Sequence, residues 1–209
     1  MPPSKHCLWP EMPPLRKQVR RWFWRWRLPR DPWERLEAPV DFRELAAGAG
    51  ADFRDYFKGA CLVEPADLAE LCEWLHACQF VTDERQFGKS EHWQHPVEFE
   101  QRRCGDCEDH ALWAWRKLAE MGMAVEFVVG LHDPQPNHCW CNHAWLHVQA
   151  GPRLLLLETT AARREGMLMD LESARHCYLP TASIDHRFRT CCFANYYHVR
   201  ATGKAMKLR

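Results

Sequence analysis

An α+β domain, with one long helix packed against an antiparallel sheet, is the fold this sequence predicts, and three observations carry it. Ala111, Ala114, Trp115, Leu118 and Met121 recur at helical spacing after Asp106, and Gly122 closes the run. Ala124 to Leu131 reads as a buried strand, and His143 to Gln149 as a strand with alternating faces. Gly151-Pro152 marks a turn, after which Arg153 to Thr160 reads as a further strand. The last two strands therefore form an antiparallel pair.

At 209 residues the chain suits one well-packed domain with appendages. Its formal net charge is zero, so no global attraction to nucleic acid is expected. The longest apolar runs, such as Val125 to Leu131, fall far short of a bilayer span, so no transmembrane segment is expected. The amino terminus lacks an apolar run followed by a small-residue cleavage site, so no secretory signal is read there. Eleven cysteines are scattered from Cys7 onward, an odd number in a chain able to build its own core. That pattern points to thiols in a reducing cytoplasm and not to a disulfide framework.

Taken in order, residues 1–40 form an N-terminal extension rich in proline, tryptophan and arginine, and residues 41–209 the domain proper. Pro2, Pro3, Pro10, Pro13, Pro14, Pro29, Pro32 and Pro39 exclude a long helix in the extension. Its block Arg20-Arg21-Trp22-Phe23-Trp24-Arg25-Trp26-Arg27 has the composition of a membrane-surface or nucleic-acid arm. The block is too short to bind tightly alone, and is read as tryptophans packed on the domain with arginines solvated. Leu68, Leu71, Cys72, Leu75 and Cys78 place a helix within 65–80. Residues 90–100 lead through a loop into a short helix. Asp106 then caps the long helix, with Asp109 three positions on as its capping-box partner. Residues 138–143 form a loop rich in cysteine and histidine. Beyond Ala161 the pattern gives a helical stretch over 168–175 and a strand over 188–197.

The chemistry centres on Gly105-Asp106-Cys107-Glu108-Asp109. Cys107 occupies the first helical turn, where the macrodipole favours thiolate and backbone N–H groups can hold an oxyanion. Asp106, Glu108 and Asp109 oppose this, since negative neighbours raise a thiol pKa; an imidazolium or a bound cation must offset them. His143 and Glu158 fall on one face of the antiparallel pair with either even-length turn. They lie directly opposite with a two-residue loop and diagonal with a four-residue loop. A carboxylate in that place fixes the tautomer of the imidazole.

Gly105-Asp106-Cys107-Glu108-Asp109-x-Ala111, preceded by Trp93-x-x-Pro96-x-Glu98 and followed by His143-Ala144-Trp145, resembles the transglutaminase-like superfamily. More narrowly, it is similar to the bacterial transglutaminase-like cysteine proteinases, over residues 78–160. The resemblance implies a papain-like core acting on a peptide or protein substrate. It implies Cys107 as nucleophile, His143 as general base and acid, and Glu158 as third member of the triad. Members usually carry aspartate at this last position, so glutamate here changes the reach. Some members bind calcium through acids flanking the nucleophile, here Asp106, Glu108 and Asp109; no other cofactor is implied. The same three residues also serve as a cap and as dipole partners. The acceptor is either water or an amine, since both reactions share the acylation step.

Two other readings stand beside this one. Cys104-x-x-Cys107 with His138, Cys139, Cys141 and His143 forms a donor set for a structural zinc module. The fold can also persist as a scaffold without turnover. His132 and His147 are read as sheet residues and not as metal ligands.

Overall fold

The computed structural model describes residues 31–36, 40–46, 48–50, 52–135 and 139–197. The Arg20–Arg27 block lies outside them. In chain order the elements are β1 (Arg35–Leu36), α1 (Leu68–His76), β2 (Gln79–Phe80), α2 (Asp83–Phe87), α3 (Pro96–Arg102), β3 (Cys104–Gly105), α4 (Cys107–Glu120), β4 (Val125–His132), β5 (Cys141–Ala150), β6 (Arg153–Leu157), β7 (Leu168–Asp170), α5 (Leu171–Ala174), β8 (Tyr178–Asp185) and β9 (Thr190–Phe193).

Seven strands form one antiparallel sheet in the order β1-β9-β8-β4-β5-β6-β7, and β2 pairs with β3 in a small parallel ladder. Helix α4 packs across β4 and β5, its Ala111, Trp115 and Leu118 joining Phe127, Ala144, Leu146 and Val148 in the main core. This is the α+β arrangement the sequence predicts, a cysteine-headed helix on an antiparallel sheet. A smaller cluster of Trp33, Val128, Trp145, Leu156 and Tyr178 covers the opposite face.

Helix α4 is more deeply enclosed than one apolar stripe suggests. Leu112, Trp113 and Ala114 are buried along with Ala111 and Trp115, and so are Arg116 and Lys117. Arg116 is tolerated because its guanidinium donates to the backbone carbonyls of Tyr56, Lys58 and Gly59, at 3.2, 2.9 and 2.6 Å. Lys117 pairs with Glu120 at 2.7 Å.

Several elements differ from the sequence reading. The strand after Gly151-Pro152 stops at Leu157, one residue before Glu158. The 168–175 stretch divides into β7 and the short helix α5, and the strand expected over 188–197 is confined to Thr190–Phe193. Strand β8 was not expected: Pro180, Thr181, Ser183 and Asp185 mask it, because all eight of its residues are buried and no polar face alternates.

Between β4 and β8 the register shifts, with Gly130 opposite Pro180 and Val129 opposite Ala182, so Thr181 is an extra residue. Gly130 is required there. A Cβ on it would collide with the Leu179 carbonyl and approach the Trp145 ring to 2.6 Å. Gly130→Ala is expected to destabilise the fold by about 3 kcal/mol, as overpacking against backbone does. Urea denaturation measures this, and wild-type stability in the variant would count against it.

Candidate active site

The start of α4 is fixed by a buried acid. Asp109 accepts hydrogen bonds from the Asp106 backbone N–H at 3.3 Å, from the Gln94 backbone N–H at 2.6 Å and from the Gln94 side-chain amide. Gly105 belongs to the same cluster, since a Cβ on it would strike the Asp109 carboxylate and stand 2.6 Å from the Gln94 amide nitrogen. The Gly-Asp-Cys-Glu-Asp run is thus a steric and hydrogen-bonding unit that presents Cys107 at the first turn of the helix.

Cys107 is partly buried and lines a cavity of about 310 Å³ with His143, Trp93, Asn142, Leu131 and Thr181. Its thiol donates to Glu108 Oε2 at 3.2 Å. Burial, Glu108 and Asp106 push the thiol well above its ordinary pKa, while the backbone N–H of Ala144, next to His143, acts in the opposite direction. Burial, first, and then the two acids therefore set the direction of the shift.

His143 and Glu158 meet, with Nε2 to Oε2 at 2.6 Å. The turn between their strands is the two residues Gly151-Pro152, closed by Ala150 opposite Arg153. Carried one residue past β6, this register sets Glu158 opposite Trp145, diagonal to His143. The two-residue loop gives the diagonal arrangement because it sits one residue later than the directly opposed pairing needs. Glutamate has the length for that diagonal.

Glu158 is buried and held from every side. Tyr178 donates to Oε2 at 2.9 Å, and Oε1 accepts from the Thr160 backbone N–H at 3.0 Å and hydroxyl at 2.7 Å. Burial alone would raise its pKa, but His143 and the Thr160 donors prevail and hold the carboxyl down at about 2. Tyr178, buried beside that charge, is kept protonated. Tyr178 and Thr160 carry no local signal in the sequence; Tyr178 lies twenty residues beyond Glu158 and on an unexpected strand.

The acids around the nucleophile separate into two groups. Asp106 and Asp109 come together with Asp83 from the start of α2, their ligand atoms within 4.8 Å of one another. Glu108 instead turns to Cys107 and Asp106. Asp83 accepts from the His92 backbone N–H, yet its Oδ1 and the Oδ1 of Asp106 are buried without a partner. Burial raises Asp83, Asp106, Glu108 and Asp109 together, Asp109 to about 7. Buried, mutually repelling carboxylates with orphaned oxygens fit a hard cation. Asp83 was missed because Thr82-Asp83 reads as an ordinary helix start.

Among the described residues the donors of the zinc module do not converge, and the donor groups that do converge contain no cysteine. Cys104 and Cys107 end up on β3 and α4, Cys139 and Cys141 are exposed, and His138 lies outside the described residues. No disulfide joins two described cysteines. His132 and His147 lie on strands, as read. No helix among the described residues is long and apolar enough to cross a membrane.

Fold and site together define an α+β protein in which a helix-start cysteine and a histidine, itself bonded to a buried carboxylate, border one cavity. No family model and no curated protein sequence matches the chain. Among solved structures it is similar to Legionella pneumophila LapG. The EGTA-treated form is 22% identical over 70% of this chain and 83% of that one, with a TM-score of 0.44. A second LapG structure gives 21% over 70% and 86%, at 0.43, and the calcium-bound form 20% over 68% and 81%, at 0.42.

Proposed function

We propose that this protein is a thiol hydrolase or acyltransferase of the transglutaminase-like type, acting on peptide or amide bonds. One observation carries the reading: Cys107 and His143 border the same cavity, and His143 is bonded through Nε2 to a buried, ionised Glu158. With Nε2 committed to Glu158, Nδ1 is the nitrogen left to take the Cys107 proton. The thiolate attacks the substrate carbonyl, and an acyl-enzyme forms. His143 then returns the proton to the leaving amine, and water or a second amine releases the acyl group. Residues 41–209 act as the catalytic domain and residues 1–40 as an extension that contributes β1 to the sheet.

Calcium fits the Asp83, Asp106 and Asp109 group, with Glu108 as neighbour. Bound there it would supply positive charge near the sulfur and lower the thiol pKa. Every proton transfer remains with His143. An uncatalytic scaffold has less support, since such a fold has no need of an ionised, fourfold hydrogen-bonded carboxylate behind its histidine.

Iodoacetamide labelling at neutral pH with calcium, read by peptide mass spectrometry, tests the reading. Cys107 should be alkylated faster than the exposed Cys141, and His143→Ala should slow it on the order of a hundredfold. Equal labelling of the two thiols, or no effect of the substitution, overturns the proposal.

A further inference from the structure

A second imidazole stands beside the His143–Glu158 pair. His132 lies opposite Cys141 in the β4–β5 ladder, hence diagonal to His143 on the same face of the sheet. The two rings are 5.0 Å apart between centres and tilted by 31°. On its other side His132 lies flat on Tyr178, its cross-strand partner in β8, at 4.2 Å and 11°. One ligand atom each from His132, His143 and Glu158 falls within 4.8 Å of the other two.

Two imidazoles and one carboxylate, with room for a water, are the donors of three-ligand zinc sites. On a tetrahedral ion with Zn–N bonds of about 2 Å, two imidazole centres stand roughly 5 Å apart, which is the spacing seen here. The outer shell is also in place. The Tyr178 hydroxyl and the two Thr160 donors orient the Glu158 carboxylate, and the Tyr178 ring backs His132.

We infer that His132, His143 and Glu158 form a zinc-binding site whose occupancy switches off the thiol chemistry. The site rests on the geometry above, and the switching rests also on the hydrolase reading. Zinc takes the Nε2 lone pair of His143, and the single ring proton, held until then between Nε2 and Glu158, passes through solvent to Nδ1. The neutral imidazole then carries its one proton on Nδ1 and has no lone pair to accept the thiol proton. No redox change is involved. Zn²⁺ replaces H⁺ between His143 and Glu158, and removal of the metal restores the base. His132 serves the metal alone, so the thiol pair works without it.

Cobalt(II) titration of the full chain tests the site directly. Eleven cysteines make adventitious thiolate binding the chief competitor, and cobalt distinguishes the two by spectrum. One equivalent should bind with visible tetrahedral bands and without a thiolate charge-transfer band, and His132→Ala should abolish this signal. Zinc should slow Cys107 alkylation at least tenfold in the wild type, reversibly on chelation. His132→Ala should be alkylated at the metal-free wild-type rate with zinc or without it. A thiolate band that persists in His132→Ala, or equal slowing by zinc in both proteins, overturns the inference. If metal-free Cys107 shows no selective, His143-dependent alkylation, the hydrolase reading fails, while the cobalt spectrum still reports on the site.

Discussion

Glu158→Gln is expected to slow Cys107 alkylation at neutral pH by about a hundred- to ten-thousandfold, the range seen when a triad acid loses its charge. The substitution preserves shape but not hydrogen bonding. Both Glu158 oxygens accept, one from His143 and Tyr178 and the other from the Thr160 N–H and hydroxyl. With its oxygen toward Thr160, glutamine directs its NH₂ at His143 and forces the tautomer with the proton on Nδ1; turned the other way, its NH₂ meets the Thr160 backbone N–H, a clash of donors. The imidazolium that forms on proton transfer also loses its counter-charge. A stability loss of about 2–4 kcal/mol should accompany the rate effect. Alkylation as a function of pH separates the two, because the loss of rate should appear in protein shown by circular dichroism to be folded. A wild-type rate in the folded variant would remove Glu158 from the mechanism.

The second large effect concerns pH and calcium. Asp109 is fully buried, and its pKa stands at about 7 against an ordinary 3.8. A carboxyl raised on folding favours the folded state most below its unfolded pKa and loses that advantage as pH rises through the folded value. Between about pH 4 and pH 7, Asp109 alone therefore costs on the order of 4 kcal/mol. Asp83, Asp106 and Glu108 shift in the same direction and add to it. Glu158 and Glu126 have the opposite sign. Burial would raise each, but His143 acts on the first, and His147 and Arg35 on the second, to hold both at about 2. Their stabilisation is present above pH 4.5 and disappears as pH falls toward 2. Burial lowers the imidazole pKa values of His110 (to about 4), His132 and His147, which oppose the acids up to about pH 6.5. Above that the acids act alone, so melting temperature without divalent ions should fall from about pH 6.5 to pH 8, and calcium should recover most of the difference at pH 8. Calorimetry at both pH values, with calcium and with a chelator, checks this. A flat profile with no calcium effect would show that the acids are accommodated some other way.

These expectations draw unequally on the sequence. The cap at Asp106, the helix to Gly122 and the turn at Gly151-Pro152 are legible because each signal is local. His143 and Glu158 could be placed on one face because strand alternation fixes parity whatever the turn. The exact diagonal needed the register. Asp83 and Tyr178 come from segments 23 residues before Asp106 and 20 residues after Glu158, and nothing in their surroundings marks them. Strand β8 was hidden by Pro180, which argues against a central strand except at a bulge, and a bulge is where it sits.

The two borders of the seven-stranded sheet are its shortest strands, two residues in β1 and three in β7. Open ladders recruit other chains, and brevity limits how much of one is on offer. β1 also covers the outer side of β9, where the thiols of Cys191 and Cys192 both donate to the Leu36 carbonyl. Arg35 and Leu36 thus cover an edge, with two thiols behind it, that would otherwise be open to another chain.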